Sequence, residues 1–124
     1  MTNELEKNGH ELFAKLIGEK DALAIHETLK KYDPDFAKFL NEQLFGSIWT
    51  RPGLEITIRS FITMASLIAL GRFNQLRLHM KAALNLGISE AQLKEMIFHL
   101  SQYCGVPAAV EATNAFREVT QEKR

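Results

Sequence analysis

Three polar residues in the stretch Gly71–Gly87 combine side chains that could bind a small acid and move a proton on it. Arg72, Gln75 and His79 are spaced three and four residues apart, so at about 100° per residue an α-helix brings them within an arc of roughly 60°. An imidazole with a pKa near neutrality can give or take a proton, and a guanidinium can hold a carboxylate in a fork. The spacing predicts an anion-binding and proton-transfer site on one helix face.

Each of these residues also has a purely structural interpretation. A histidine on a helix is more often structural than catalytic, and Arg72 could cap a carbonyl or pair with a surface acid. His99 lies at the edge of the apolar stripe Leu93–Cys104, and Glu111 borders a seam of small residues in the last helix. For both, the structural interpretation is favoured and participation in the site is left open.

Metal binding has little support in the sequence. No histidine pair has the i, i+4 spacing of a helical zinc motif, and the single Cys104 allows neither a disulfide nor a CxxC pair. His10 and His26 lie in ordinary amphipathic helices and are given no role. Cys104 is interpreted as a packed core residue.

The linker Gly46–Leu54, GSIWTRPGL, is the longest irregular segment predicted. It contains the only tryptophan, Trp49, and a cation, Arg51, directly before the turn dipeptide Pro52-Gly53. Connecting loops often carry binding residues, so these two side chains are interpreted either as surface residues or as a lid over a neighbouring helix.

Helical periodicity and cap signals recur along the chain, and no strand pattern is present. Asp33-Pro34 reads as an N-cap followed by proline at the first helical position. Ser89 and Gln92 read as a capping box, and Gly87 stands where a C-terminal cap needs a left-handed residue. The predicted helices are Asn3–Ile17, Asp21–Lys30, Pro34–Phe45, Glu55–Leu70, Gly71–Gly87, Ser89–Cys104 and one that restarts at Pro107 and frays after Val119. The sequence predicts an all-α bundle of about six helices.

Composition limits the classes of function. The 124 residues predict one domain, 1–124, and fifteen basic residues balance fifteen acidic ones, which argues against nucleic-acid or membrane-surface binding by bulk charge. No segment has the length and hydropathy of a membrane span, and we expect a cytoplasmic protein. The helix Glu55–Leu70 is apolar almost all round, which predicts cover by a second subunit and a homo-oligomer.

Three segments together resemble the carboxymuconolactone decarboxylase family, in its γ-carboxymuconolactone decarboxylase branch. They are IWTRPGL (Ile48–Leu54), RSFITMASLIALGRFNQLRLHMKAALNLG (Arg59–Gly87) and YCGVPAAVEA (Tyr103–Ala112). The resemblance covers most of the chain from Asp33 onward. It implies an orthogonal, alkylhydroperoxidase D-like helical bundle assembled as a hexamer, a trimer of dimers.

The alkylhydroperoxidase D proteins of the same superfamily carry a Glu, a CxxC pair and a His. Aligned through the histidine and Gly87, those positions become Ser60, Arg72, Gln75 and His79. Peroxide reduction by that pair needs two thiols, and Arg72 and Gln75, which stand at those two positions, supply none. Redox activity of that type is therefore not expected.

The resemblance implies decarboxylation of a butenolide lactone that bears one carboxylate on its ring and another on an acetate arm. Loss of CO2 from the ring leaves a carbanion conjugated with the lactone carbonyl, so the substrate is its own electron sink and no cofactor or metal is required. The protein must hold a carboxylate, stabilise the lactone oxygen and protonate a ring carbon. His79 is the expected proton donor.

The remaining roles follow from the same resemblance. Arg72 and Arg51 are expected to anchor carboxylate or oxyanion, Gln75 to donate to the lactone oxygen, and Trp49 to cover the site against water. Arg59 is a further anion-binding candidate with a structural alternative. A cation against the departing carboxylate would stabilise the ground state, so at least one arginine should face the acetate arm.

Other functions remain open at this point. The chain could act on another small acid or lactone within the superfamily, or be a non-catalytic oligomeric protein; a peroxidase-like protein is disfavoured. Membership of the β-ketoadipate pathway of aromatic breakdown is implied by the resemblance alone.

Overall fold

Every regular element of the described chain is a helix. The computed structural model describes residues 3–123, and the side chains of residues 3–121. The order of elements in this range is α1 (Glu4–Ile17), α2 (Glu19–Tyr32), α3 (Pro34–Phe39), a π-helix (Leu40–Ile48), α4 (Ile56–Leu70), α5 (Phe73–Asn85), α6 (Glu90–Cys104) and α7 (Val106–Lys123). The all-α prediction is confirmed. No helix within residues 3–123 is both long and apolar enough to cross a bilayer.

The predicted caps are present. The backbone N–H of Phe36 donates to the Asp33 carboxylate at 3.0 Å, and Pro34 starts α3. Ser89 and Gln92 form the complete capping box at the start of α6. Gly87 has a φ of +96°, the left-handed conformation that ends α5 without the steric cost that a Cβ would add.

Two helices are longer than predicted. Helix α2 starts directly after Gly18 and ends at Tyr32 rather than spanning Asp21–Lys30. Helix α7 continues past Val119 to Lys123, because the Thr120 hydroxyl is buried and donates to a carbonyl of the preceding turn at 2.9 Å. The predicted fraying is therefore wrong through Lys123, and Arg124 lies outside the described residues.

The prediction that Gly46 ends a helix is wrong. Gly46 lies inside the π-helix Leu40–Ile48. The hydrogen bonds of a π-helix join residues five apart, and the Trp49 N–H accordingly donates to the carbonyl of Leu44 at 2.9 Å. A Cβ at Gly46 would stand 2.7 Å from the Asn41 carbonyl oxygen, so the glycine serves close helix packing rather than a cap. The irregular segment is consequently shorter than the predicted linker.

The chain divides into two compact units, Met1–Ile56 and Thr57–Arg124. In the first unit, α1 packs closely along the π-helix at Gly9 and Gly46, two buried positions where a side chain would overlap backbone. Its apolar core includes Phe13, Leu16, Ile17, Ala22, Ala37, Phe45 and Trp49. The Phe13 and Phe45 rings lie 4.7 Å apart. That the chain is a single domain stays a prediction.

The second unit has a continuous apolar core drawn from all four of its helices. Arg77 on α5 is hydrogen-bonded to Glu118 on α7, which raises the pKa of the arginine and lowers that of the carboxylate. The fully buried members of the core are Met64, Ile68, Leu76, Met80, Ala83, Leu93, Ala112 and Ala115. Tyr103 was expected in the apolar stripe of α6, but it is 78% exposed, because it stands beyond the arc that faces this core.

Candidate functional site

His79 lies on the second turn of α5, between the buried residues Leu76 and Met80. The imidazole is half-buried, and its Nδ1 atom is screened from solvent. Burial lowers the pKa of His79 below its ordinary value of 6.5, since the charged form is the one that loses hydration. At neutral pH this imidazole is therefore predominantly neutral.

Arg72 and Gln75 flank the start of α5. Arg72 is the N-cap residue, with φ −97° and ψ 68°, and its carbonyl accepts the first helical hydrogen bond, from Leu76 N at 3.0 Å. Helix α5 therefore starts at Phe73 rather than at Gly71, and the shared line of the three polar side chains stays a prediction. Gln75 and His79 occupy successive turns. Both Arg72 and Gln75 have exposed side chains, which leaves them accessible to a solute.

Helix α4 contributes a second pair of polar residues. Arg59 is half-buried and its Nε atom is screened from solvent; its carbonyl accepts a hydrogen bond from the Thr63 hydroxyl at 2.9 Å. Ser60 is 1% exposed, and its hydroxyl has no hydrogen-bond partner among the described residues. Arg59 and Ser60, like the α5 residues, belong to the Thr57–Arg124 unit.

Trp49 and Arg51 belong to the Met1–Ile56 unit. Trp49 was predicted on a loop, and it is the first residue after the π-helix, where it stands as the C-cap. Its side chain is buried, with its ring 6.3 Å from that of Phe45. Arg51 has an exposed side chain, and its N–H donates to the Ile48 carbonyl at 3.2 Å.

A polar cluster in the first unit was not predicted from the sequence. The rings of His10 and His26 lie 5.3 Å apart, and the buried amide of Asn41 donates to His26 Nδ1 at 3.1 Å. These residues are far apart in sequence, so spacing could not group them. Asn41 also carries no signal of its own, because it is the first of three consecutive polar residues, followed by Glu42 and Gln43.

Two of the surface cavities in the second unit are lined by residues other than Arg72, Gln75 and His79. One, of about 650 Å³, lies between α6 and α7 beside Phe98 and Val110. The other, of about 450 Å³, lies between α4 and α6, where His99 and Glu95 line it. Within the described residues, no three His, Cys, Asp or Glu side chains are grouped so as to hold a metal ion.

Comparison with known proteins identifies the family. The profile of the carboxymuconolactone decarboxylase family matches residues 34–118. The chain is 39% identical to 4-carboxymuconolactone decarboxylase from Acinetobacter baylyi, over 94% of this chain and 87% of that protein. It is 35% identical to a nitrosuccinic acid decarboxylase from Metarhizium robertsii, over 60% of this chain and 52% of the relative. An uncharacterized 15.0 kDa protein of Paracoccus denitrificans is 27% identical over 99% of this chain and 98% of its own length. The match in residues 34–118 and the near full-length identity to the Acinetobacter protein show that this chain belongs to the carboxymuconolactone decarboxylase family.

Proposed function

We propose that this protein converts γ-carboxymuconolactone to the β-ketoadipate enol-lactone, with release of CO2. Family membership and two decarboxylase relatives make the chain a carboxy-lyase. The observation that carries the specific substrate is the 39% identity to 4-carboxymuconolactone decarboxylase over 94% of the chain. Membership of the protocatechuate branch of aromatic breakdown is proposed on the same ground.

The reaction needs no external electron sink. Cleavage of the bond between the ring carbon and its carboxylate leaves an electron pair that is delocalised through the alkene onto the lactone carbonyl oxygen. Protonation of the dienolate at carbon then gives the enol-lactone. Catalysis therefore requires hydrogen-bond donors at the lactone oxygen and one proton delivered to carbon.

His79 is the proposed proton donor, and its burial sets a condition on that role. The lowered pKa leaves little imidazolium in the free protein at neutral pH. The substrate brings two carboxylates, and a negative charge within about 4–6 Å favours the protonated imidazole. We infer that His79 takes up its proton as the dianion binds, so the donor is charged chiefly when substrate is present.

The other residues are assigned by position and side-chain type. The exposed guanidinium of Arg72 stands just before the first turn of α5 and is proposed to hold the acetate carboxylate. Gln75, one turn before His79, is proposed to donate to the lactone oxygen. Arg59 is proposed as a further anion contact, and the roles implied for Arg51 and Trp49 by the family resemblance stay predictions.

A related substrate class is the second candidate, and the Metarhizium relative favours it. Nitrosuccinic acid and γ-carboxymuconolactone each have a carbon atom that bears the departing carboxylate, a CH2–COO⁻ arm and an electron-withdrawing group. The electron pair left by CO2 is delocalised onto the nitro group in nitrosuccinic acid and onto the unsaturated lactone in γ-carboxymuconolactone. A site that binds the succinate-like core could accept other acids with an internal electron sink.

Steady-state kinetics on the purified chain test both candidates. We expect CO2 release from γ-carboxymuconolactone, and a loss of kcat of about 10²–10⁴-fold in His79→Gln. His99→Gln, which alters an exposed imidazole of α6, is the matched control and should leave kcat unchanged. Arg72→Gln should raise KM, whereas Arg117→Gln, an exposed arginine of α7, should not.

Two outcomes would contradict different parts of the proposal. Absence of CO2 release from the lactone together with turnover of nitrosuccinate would move the assignment to the second substrate. Normal turnover by a folded His79→Gln variant would refute the donor assignment while leaving the reaction intact.

A homo-oligomer, specifically a hexamer, is proposed from the family resemblance and from one surface. Ile58, Ile62 and Leu70 on α4 are all exposed in the single chain, with the first two on successive turns, and unpartnered apolar side chains of this kind mark interfaces. Light scattering should give about 85 kDa, six times the 14.1 kDa chain. A mass near that of one chain would refute this, and Ile62→Glu should lower the mass if the surface is the interface. Cytoplasmic location stays a prediction.

A further inference from the structure

We propose that His10 and His26 bind a divalent transition-metal ion, with Asn41 as the group that orients His26. The site lies in the Met1–Ile56 unit and joins α1, α2 and the π-helix. It is separate from the residues proposed for decarboxylation, and it does not depend on that function.

The two rings have the separation that a shared ion requires. Their centroids are 5.3 Å apart and their planes are inclined by 57°. A tetrahedral zinc ion, about 2.0–2.1 Å from one nitrogen of each ring, places two imidazole centres roughly 5 Å apart.

Asn41 supplies the outer contact that a histidine ligand normally has. Its side chain is 4% exposed and donates to His26 Nδ1 at 3.1 Å, which puts the proton of the neutral ring on Nε2. When Nε2 binds a metal, the proton transfers to Nδ1, and a half-turn of the amide presents Oδ1 as its acceptor. Such an outer contact fixes the tautomer and the ring orientation of a ligating histidine.

His10 offers the second ligand atom. Its Nδ1 is screened from solvent and has no hydrogen-bond partner among the described residues. A buried polar atom in this state costs free energy unless something satisfies it. A metal bound to its lone pair would do so, and we assign His10 Nδ1 and His26 Nε2 as the protein ligands.

The backbone around the cluster is held closely. Gly9, next to His10, and Gly46 both face the carbonyl of Asn41, at positions where a Cβ would overlap it. Asn41 is the second residue of the π-helix, a backbone form found frequently at functional sites. Ligands carried by closely packed helices keep their geometry better than ligands on loops.

The ligand types select the class of ion. Imidazole suits Zn²⁺, Ni²⁺ and Cu²⁺, whereas Mg²⁺ and Ca²⁺ prefer carboxylate and carbonyl oxygens. Two protein ligands leave the remaining positions of the ion to water. The Met1–Ile56 unit carries ten acidic and seven basic residues, a balance that favours a cation.

A titration of untagged full-length protein, treated with EDTA and desalted, tests the proposal. Calorimetry with Zn²⁺ should give one ion per chain. His10→Gln and His26→Gln should each weaken binding by tenfold or more, since either leaves a single imidazole. His79→Gln and His99→Gln are the matched controls and should bind as the unaltered chain does. Ni²⁺ should quench Trp49, the only tryptophan, which lies in the same unit.

Asn41→Asp separates an orienting role from simple packing. A carboxylate accepts more strongly than an amide from the Nδ1–H of a metal-bound histidine, so this variant should bind Zn²⁺ more tightly. Outer contacts of this kind change metal affinity by about 10–100-fold. Weaker binding by Asn41→Asp would overturn the role of Asn41. Binding that survives unchanged in both His10→Gln and His26→Gln, or no binding by the unaltered chain, would overturn the site.

Discussion

Replacement of Gly9 by alanine sets two opposing effects of known size against each other. In a helix interior, alanine is more favourable than glycine by about 1 kcal/mol. In α1, however, the added Cβ would lie 2.6 Å from the carbonyl carbon and 3.0 Å from the Cα of Asn41, and closer still to the carbonyl oxygen. These are backbone atoms of the π-helix, so no rotamer change removes the overlap.

The overlap should prevail over the gain in helix propensity. Relief requires α1 and the π-helix to separate by about 1 Å or more, which loosens a packed contact, and overpacking of this kind costs about 1–3 kcal/mol or more. Because the clash is with rigid backbone, we expect a cost at or above the upper end of that range and a net loss of about 2 kcal/mol. For a chain of this size, that loss corresponds to a decrease in Tm of roughly 8 °C.

Gly53→Ala is the matched control for this experiment. A Cβ at Gly53 meets nothing within 4 Å, and its φ is not in the left-handed region. We therefore expect no destabilisation, or a gain of about 0.4–1 kcal/mol from the restricted unfolded chain. Urea unfolding followed by Trp49 fluorescence and circular dichroism measures both variants. Equal midpoints for Gly9→Ala and Gly53→Ala would refute the inferred close approach of the two helices.

Three further predictions concern the second unit. Met80→Ala removes a fully buried side chain from the core and should lower the free energy of unfolding by about 2–5 kcal/mol, measured in urea. The pKa of His79 is lower in the folded chain than its ordinary value of 6.5, so the unfolded chain binds more protons. The contribution of neutral His79 to the free energy of unfolding is therefore complete above pH 6.5 and is lost as pH falls through the folded pKa. We expect the unaltered chain to have a lower urea midpoint at pH 5.5 than at pH 7.5, and His79→Gln should reduce that difference. If imidazolium is the donor, kcat/KM should fall as pH rises above the lowered pKa of His79 in the free protein. In the substrate complex the pKa is expected to be higher, so kcat should be maintained to a higher pH. Superimposable pH profiles of kcat and kcat/KM would contradict proton uptake on substrate binding.

Local signals predicted much of the fold. The caps at Asp33 and Ser89 were readable because each depends on a side chain and a backbone N–H three residues away. Gly87 was readable because the left-handed backbone that ends a helix favours glycine. The apolar periodicity of α6 and the nearly continuous apolar sequence of α4 likewise needed no tertiary knowledge.

The errors arose where tertiary contacts decide. Gly46 reads as a helix end, but the carbonyl of Leu5 on α1 comes too close for a side chain there, and the helix continues. Thr120 reads as part of a polar tail until the rest of the second unit buries it. Both depend on residues distant in sequence, which a periodicity argument does not include.

The candidate site was likewise predicted only in part. The sequence singled out His79, and its burial accounts for the lowered pKa. It did not indicate that Arg72 precedes the helix, because an arginine at an N-cap position carries no capping signature. Nor could it pair His10 with His26, which are sixteen residues apart and meet only through the packing of α1 and α2.

The π-helix also bears on how chain length can vary in evolution. Its turns hold more residues than those of an α-helix, so Leu40–Ile48 carries surplus backbone inside a continuous helical stretch. Loss of one residue here, such as the exposed Gln43, lets the segment rewind as an α-helix while the flanking faces keep their orientation. The same loss within α1 would rotate every later side chain by about 100°. Insertions and deletions among relatives should therefore concentrate in Leu40–Ile48 rather than in the helix it packs against.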